Sequence, residues 1–205
     1  LGVHPQLTRL GHHRGHQVVL PGLDVVDECP DDLRPLYRRE LGAAPDPEAL
    51  ARAGDMLAMD FPSLPAKPCH PPEMLLTALG KAPIATLEER DYLAVYETEA
   101  QVRALKPNMA ALKKLDKQGV VVTAKGDKAD FVSRYFVPAF GIDEDPVTGS
   151  AHCALATFWT RELGRPAFVA RQVSPRGGTL GVRLDGDRVF LTGRAITVVR
   201  GELVD

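Results

Sequence analysis

Hydrophobic and polar positions follow two different patterns along this chain, and the change comes near residue 55. Residues 1–54 hold only brief apolar runs among prolines and histidines, and they predict two short helices, at 31–41 and 47–53. From residue 55 onward, strand and helix signals follow one another regularly. We therefore divide the chain into an atypical or remnant amino-terminal segment, residues 1–54, and a regular domain, residues 55–205.

Within the regular domain, the period of the apolar residues separates strands from helices. Four runs have helical spacing, and the last of them is apolar on almost every side, so that it must be buried. Strands around one buried helix predict an α+β fold in which a curved sheet wraps that helix. The predicted helices are 72–79, 98–105, 107–117 and 151–163, and the predicted strands are 56–61, 91–97, 119–124, 131–137, 168–173, 179–184, 188–191 and 195–199, with a hairpin turn at 184–187.

Composition and charge exclude several classes of function. The 205 residues carry a net charge of −2 without a basic stripe, so neither a nucleic acid nor an anionic membrane surface is an expected partner. No apolar run approaches the roughly 20 residues of a membrane span, and no signal-peptide pattern is present, which predicts a cytoplasmic protein. Cys29, Cys69 and Cys153 lie far apart without C-x-x-C spacing, which predicts reduced thiols and no metal site.

The densest candidate chemistry lies in an acidic, glycine-bearing loop that runs into the apolar helix. Pro146 and Gly149 turn the chain, so Asp145 can share one cleft with the N–H groups that begin the helix, and such groups attract an anion. Gly149 allows close approach of the backbone to a ligand, and Ser150 adds a hydroxyl at the positive end of the helix dipole. The acidic neighbours of Asp145 favour a retained or shared proton. The segment reads Glu144-Asp145-Pro146-Val147-Thr148-Gly149-Ser150-Ala151-His152-Cys153-Ala154-Leu155.

Each of these residues also has a purely structural interpretation. Ser150 suits a helix N-cap, and Asp145 before a proline suits an ordinary turn. His152 and Cys153 fall in the first turn of the helix, where we expect both to pack in the core. The run 176–178 is either a loop that touches an acidic ligand or a bulge before a strand, and we expect the bulge.

Several stretches in a fixed order resemble the phenazine-biosynthesis PhzF-like family of cofactor-independent isomerases, which have the diaminopimelate-epimerase type of fold. Members resemble two similar barrels of mostly antiparallel strands, each wrapped on a central helix, with the substrate between them. The resemblance implies that this chain supplies one complete barrel and a remnant of the first. It covers about residues 55–203 and is carried by 59–62, 91–93, 119–123, 130–136, 144–155 and 172–178.

The same resemblance implies roles for three residues of the acidic loop. Asp145 matches the family's second catalytic or substrate-orienting carboxylate, and Gly149 and Ser150 match its substrate contacts. No metal and no cofactor are implied. The family's proton-carrying glutamate segment and its site-closing histidine segment have no counterpart in this sequence.

Two functions from different classes follow. In the first, the chain is an isomerase or epimerase that moves a proton on a small carboxylate; in the second, it is a non-catalytic remnant or pseudoenzyme that binds such a carboxylate. A racemase with two thiols is a third possibility, which would need Cys69 and Cys153 on opposite sides of one carbon. An incomplete first barrel would expose apolar surface, so we expect a homodimer.

Overall fold

The strands of this chain join into one mixed sheet. The structure, a computed structural model, describes residues 51–53 by their backbone and residues 56–194 in full. The predicted helix at 31–41, the predicted strand at 195–199 and Cys29 lie outside the described residues. The strands are β1 (Ala51–Ala53), β2 (Met56–Pro62), β3 (Lys67–Pro68), β4 (Ala85–Glu88), β5 (Tyr92–Val95), β6 (Val120–Lys125), β7 (Phe131–Val137), β8 (Ile142–Asp145), β9 (Ala167–Gln172), β10 (Gly178–Asp185) and β11 (Arg188–Gly193).

Four α-helices occur in the described chain. Their bounds are α1 (Glu73–Leu79), α2 (Glu99–Ala104), α3 (Met109–Leu112) and α4 (Gly149–Leu163). Helix α1 ends at Gly80, whose φ of 69° lies in the left-handed region that a helix terminus favours and glycine adopts easily. None of the helices in residues 56–194 is long and apolar enough to cross a membrane.

The strand order along the sheet is β1-β2-β11-β10-β9-β7-β6-β5-β4-β3, and β8 pairs with β7 beside this path. The pairs β5–β6 and β7–β9 are parallel, and the other pairs among the described strands are antiparallel. Strand β7 shares one edge between two partners, because residues 131–133 pair with β9 and residues 135–137 pair with β8. This division brings β8 and the acidic loop against the centre of the sheet.

Helix α4 contributes to the larger hydrophobic cluster from several of its faces. Its buried residues share that cluster with side chains of β4, β5, β6, β7, β9, β10 and β11. Each fully buried aliphatic or aromatic side chain contributes roughly 1.5–3 kcal/mol, so this cluster is a main source of stability. The buried α4 residues in it are Ala151, Cys153, Leu155, Ala156, Phe158 and Trp159.

A second hydrophobic cluster covers the opposite face of β5, β6 and β7. It joins residues of α1, α2 and α3 to side chains such as Ala94, Val122 and Phe136. These three strands are therefore buried on both faces, which explains the near-continuous apolar runs at 92–96 and 120–124.

Most of the predicted elements are confirmed, with three differences. Residues 51–53 form a strand paired with β2, so the helix predicted at 47–53 is wrong over these residues, since edge pairing overrides the weak helical pattern. Helix α3 is shorter than predicted, because after Lys113 the chain continues in i→i+3 turns. Strands β3, β4 and β8 are too short or too polar to give a sequence pattern.

A buried hydrogen bond ties α4 to β6. Trp159 Nε1 donates to Thr123 Oγ1 at 3.0 Å, and that hydroxyl donates to the Val132 carbonyl oxygen at 2.7 Å. The indole also stacks on Phe131, with 5.5 Å between the ring centroids and 7° between their planes. The hydrogen bond and the ring stacking therefore fix the orientation of the helix on the sheet, in addition to the burial of its apolar side chains.

Replacing the two partners of this hydrogen bond, in Trp159→Phe and Thr123→Val, is expected to be non-additive. Each single change leaves a buried polar group short of a partner, whereas the double change removes both groups. We expect a coupling free energy of unfolding of about 1 kcal/mol in a double-mutant cycle by urea denaturation. If the losses of unfolding free energy in the two single variants add up to the loss in the double variant, the hydrogen bond does not couple the two side chains.

Candidate functional site

Strand β8 places Asp145 at the end of a short ladder beside β7. Asp145 pairs with Tyr135, and Glu144 pairs with Phe136, with an irregular register before Val137. Pro146 follows and cannot donate to a ladder, so the strand ends there. The chain then reaches the start of α4 within three residues, and Asp145 stays half-buried next to it.

Glu144 is held in an ion pair and does not act as the bare like-charge neighbour of Asp145 that the sequence suggested. Its two carboxylate oxygens accept from Arg134 Nε and Nη2, each at 2.8 Å. Arg134 also donates from Nη1 to the carbonyl oxygens of Val102 and Leu105 at the end of α2. Because adjacent strand residues point to opposite faces, this pair lies on the other side of β8 from Asp145.

Thr148, and not Ser150, occupies the N-cap position of α4. Its hydroxyl makes no capping hydrogen bond and donates instead to Asp145 Oδ2. The interpretation of Ser150 as a simple N-cap is therefore wrong; Ser150 is the second residue of the helix and is half-buried. The N–H groups of residues 149–151 precede the first intrahelical donor, so they remain available to an external acceptor.

The positive end of the α4 dipole and the Asp145 carboxylate thus lie at the same place. Thr148 links them directly, because it both begins the helix and contacts the carboxylate. A carboxylate near a helix N-terminus is stabilised by the dipole, and a second anion can bind the free N–H groups. Within the described residues the Ser150 hydroxyl has no hydrogen-bond partner, so it can add a donor to the same anion.

The last residue of β9 and the loop that follows it hold the acidic loop from one side. Gln172 Oε1 accepts from the Thr148 N–H at 2.8 Å, and Gln172 Nε2 donates to the Asp145 carbonyl oxygen at 2.7 Å. Ser174 Oγ donates to the Pro146 carbonyl oxygen at 2.7 Å and accepts from the Gly177 N–H at 2.9 Å. Residues 173–177 form the loop between β9 and β10, so the bulge expected at 176–178 is wrong.

The two glycines near the loop have different packing. A Cβ on Gly178 would overlap the Val147 side chain, so only glycine lets β10 approach the loop this closely. A Cβ on Gly149 would meet Leu191 Cδ1 at 3.5 Å, which is an ordinary contact. Packing against the protein therefore requires Gly178 but does not require Gly149.

His152 is fully buried behind the loop. Its Nδ1 lies 2.6 Å from the Thr148 carbonyl oxygen, which can only accept, so Nδ1 carries the hydrogen. Burial lowers the pKa of His152 to about 4, although the hydrogen bond to Thr148 opposes that shift. The ring is neutral near pH 7 and packs 6.1 Å from the Phe131 ring, which confirms the predicted packing role.

The thiols do not suit a racemase with two cysteines. Burial raises the pKa of Cys153 to about 12, so this thiol stays protonated and weakly nucleophilic at neutral pH. Burial and the nearby Glu88 also raise the pKa of Cys69. Both carry free thiols, as predicted. Residues 56–194 contain no group of three side chains suited to hold a metal ion.

Sequence reasoning missed Thr148, Gln172 and Ser174 as parts of this site. Thr148 stood inside the recognised loop, where Ser150 gave the stronger capping signal. Gln172 stood in a recognised stretch, but its contacts join residues 24 and 27 positions apart. Only the fold brings these partners together, because no local spacing encodes them.

The glycine contacts predict opposite responses to alanine. Gly178→Ala should lose about 1–3 kcal/mol of unfolding free energy, because Val147 and the loop must move. Gly149→Ala should change it by no more than about 0.5 kcal/mol. Thermal and urea denaturation of the two variants measure the difference, and equal effects would show that the contact between residues 147 and 178 is not tight.

Burial of His152 predicts a loss of stability in acid. The unfolded chain binds a proton near the ordinary pKa of 6.5, whereas the folded chain holds this pKa at about 4. The stability due to the neutral ring is complete above pH 6.5 and falls as the pH drops towards 4, by on the order of 3 kcal/mol. Urea denaturation across this window should show a steeper loss for the wild type than for His152→Asn; parallel curves would contradict the prediction.

Comparison with known proteins assigns the chain to a family. The model of the phenazine biosynthesis-like proteins, PhzC-PhzF, matches residues 74–201. An uncharacterized isomerase of Pseudomonas aeruginosa is 45% identical over 155 residues, which are 76% of this chain and 60% of that protein. A human phenazine biosynthesis-like domain-containing protein is 36% identical over 173 residues, covering 74% of this chain and 60% of that protein.

Solved structures agree with this match. A PhzF-family phenazine biosynthesis protein of Enterococcus faecalis superimposes with a TM-score of 0.72 at 37% identity, covering 76% of this chain and 60% of that one. The chain spans about 60% of the length of each of these three relatives. The mixed sheet with few helices therefore has a fold like that of this solved relative over the matched part. The chain belongs to the phenazine biosynthesis-like, or PhzF-like, family, which includes relatives named as uncharacterized isomerases.

Proposed function

We propose that this chain supplies one half of a cofactor-independent isomerase or epimerase site that moves a proton on a small carboxylate. The observation that carries the proposal is the meeting of Asp145 with the uncapped start of α4 through the Thr148 hydroxyl. Proton transfer beside a carboxylate needs a proton acceptor and donors that hold the substrate's own charge. Both kinds of group occur in this one loop.

The roles divide between side chain and backbone. The N–H groups of residues 149–151 and the Ser150 hydroxyl bind the substrate carboxylate, since they are uncommitted donors at the positive end of a helix. Asp145 orients the substrate or exchanges its proton, and Thr148 holds the carboxylate of Asp145 in place. Gly149 leaves room for close approach of the ligand.

We propose that this chain forms a barrel with α4 as its axis. A second barrel would face the start of that helix and complete the site. Burial of α4 against seven strands supports the first part. The second part rests on the family's two-barrel form and on the length of the relatives, of which this chain spans about 60%. The remnant of a first barrel belongs to the same proposal.

A second candidate function is binding of a small carboxylate without turnover. The observation that favours it is the sequence itself, in which the family's proton-carrying glutamate segment has no match. Binding and proton transfer are separable contributions, so loss of the base would remove turnover and leave the anion contacts.

Deuterium exchange separates the two candidates and tests Asp145. The purified chain is incubated in heavy water with a panel of small amino and hydroxy acids, and deuterium at the carbon beside the carboxylate is followed. Asp145→Asn should lower the rate by about a hundredfold or more, the lower bound for a lost general acid or base. Asp143→Asn is the matched control, because Asp143 is an exposed carboxylate on the same strand.

The outcomes are distinct. Exchange that depends on Asp145 and not on Asp143 supports the isomerase. Saturable binding of these acids without any exchange supports the binding module. Neither exchange nor binding by any acid of the panel contradicts both.

A further inference from the structure

Gln172 is a buried polar residue whose side chain makes three hydrogen bonds to the acidic loop. It is the last residue of β9, and its backbone is fixed on both sides, since it pairs with Ser133 of β7 and Gly178 of β10. Its side chain is fully buried. A buried carboxamide must satisfy its hydrogen bonds within the protein, so its partners define its role.

The three hydrogen bonds of this carboxamide all go to the loop. Oε1 accepts from the Thr148 N–H at 2.8 Å, while Nε2 donates to the Asp145 carbonyl oxygen at 2.7 Å and to Thr148 Oγ1 at 3.2 Å. The carboxamide of Gln172 therefore bridges Asp145, the last residue of β8, and Thr148, the N-cap residue of α4.

The orientation of the carboxamide follows from its two backbone partners. A backbone N–H can only donate and a backbone carbonyl can only accept, so the flipped amide would oppose like groups at Thr148 and at Asp145. With Nε2 donating to Thr148 Oγ1, the hydroxyl hydrogen of Thr148 is directed to Asp145 Oδ2. A directed chain thus runs from Gln172 through Thr148 to the carboxylate of Asp145.

This series of hydrogen bonds has a second effect, on helix α4. A threonine at an N-cap position commonly accepts from an N–H of the first turn, which would occupy one of the free donors. Here the Thr148 hydroxyl faces Gln172 and Asp145 and makes no capping hydrogen bond, so the N–H groups of residues 149–151 are left for a ligand. The same carboxamide therefore acts on both halves of the proposed site.

We propose that Gln172 is a positioning residue, which aims the Asp145 carboxylate through Thr148 and keeps Thr148 from capping α4. The inference rests on the proposed carboxylate site, since it assigns the residue that shapes that site. Gln172 touches no substrate atom in this account.

Two substitutions and one control test it. Gln172→Leu removes all three hydrogen bonds. Gln172→Glu keeps the acceptor for Thr148 and replaces the donor with a carboxylate oxygen. Ser133→Ala is the control, because Ser133 pairs with Gln172 in the sheet and is buried, yet its hydroxyl has no partner among the described residues. Circular dichroism checks that each variant is folded.

The first readout is hydrogen exchange of the Thr148 amide by NMR. In Gln172→Leu it should be about tenfold faster than in the wild type, as expected for one lost buried hydrogen bond, and Ser133→Ala should leave it unchanged. In Gln172→Glu a carboxylate oxygen replaces the donor and faces the Asp145 carbonyl oxygen, so repulsion should loosen the loop and speed Thr148 exchange although the acceptor for the Thr148 N–H is kept. Lowering the pH protonates the new carboxyl and restores one donor. The ratio of the Thr148 exchange rate in Gln172→Glu to that in the wild type at the same pH should therefore fall in acid. General destabilisation would not produce this fall.

The second readout is binding of lactate, followed at the N–H signals of residues 149–151. We expect the dissociation constant to rise about tenfold in Gln172→Leu and to stay at the wild-type value in Ser133→Ala. Unchanged Thr148 exchange in Gln172→Leu or in Gln172→Glu, or an equal effect of Ser133→Ala, would overturn the inference.

The test separates this inference from the proposed function. If the wild type binds no lactate, the carboxylate site fails for this probe, and the Thr148 exchange alone decides the role of Gln172. If Gln172→Leu does not fold, Gln172→Glu and its pH dependence decide in the same way, because relief in acid supports the directed chain and its absence overturns it.

Discussion

The need to bury helix α4 on several sides is the constraint on which the rest of this structure depends. The buried residues Cys153, Leu155 and Phe158 are spread over more than half of the circumference of α4, so the helix cannot lie on a surface and strands must cover it from more than one direction. The mixed sheet satisfies that need with side chains of seven strands. Once the helix is fixed, its first turn has a fixed place at the edge of the core, and the residues before it become a site.

The candidate site combines free donors at the start of α4 with neighbouring side chains that are held by hydrogen bonds or burial. Glu144 is neutralised by Arg134, and Pro146 is held by Ser174. His152 is neutral and buried. The N–H groups of residues 149–151 remain free beside the Asp145 carboxylate, one oxygen of which accepts from Thr148. Under the proposed function, a rigid surround of this kind lowers the free-energy cost of binding a small acid, because little must be ordered when the ligand arrives.

The sequence revealed much of the fold and only part of the site. Residues 120–125 and 131–137 are apolar and β-branched, and their strands could be predicted from local pattern alone. Strand β8 could not, because three of its four residues are acidic and they pair only where β7 offers an edge. Asp145, Gly149 and Ser150 were found as a motif. Thr148 and Gln172 were not, since their roles depend on contacts made across the sheet.

The proposed function requires that the first turn of α4 binds a small carboxylate beside Asp145. A crystal structure of the chain soaked with lactate would reveal such binding. We expect one carboxylate with its oxygens within hydrogen-bond distance of the N–H groups of residues 149–151, and with its reacting carbon next to Asp145. Lactate bound elsewhere while this turn stays free of it, or a Thr148 hydroxyl turned away from Asp145 to cap the helix, would contradict the account.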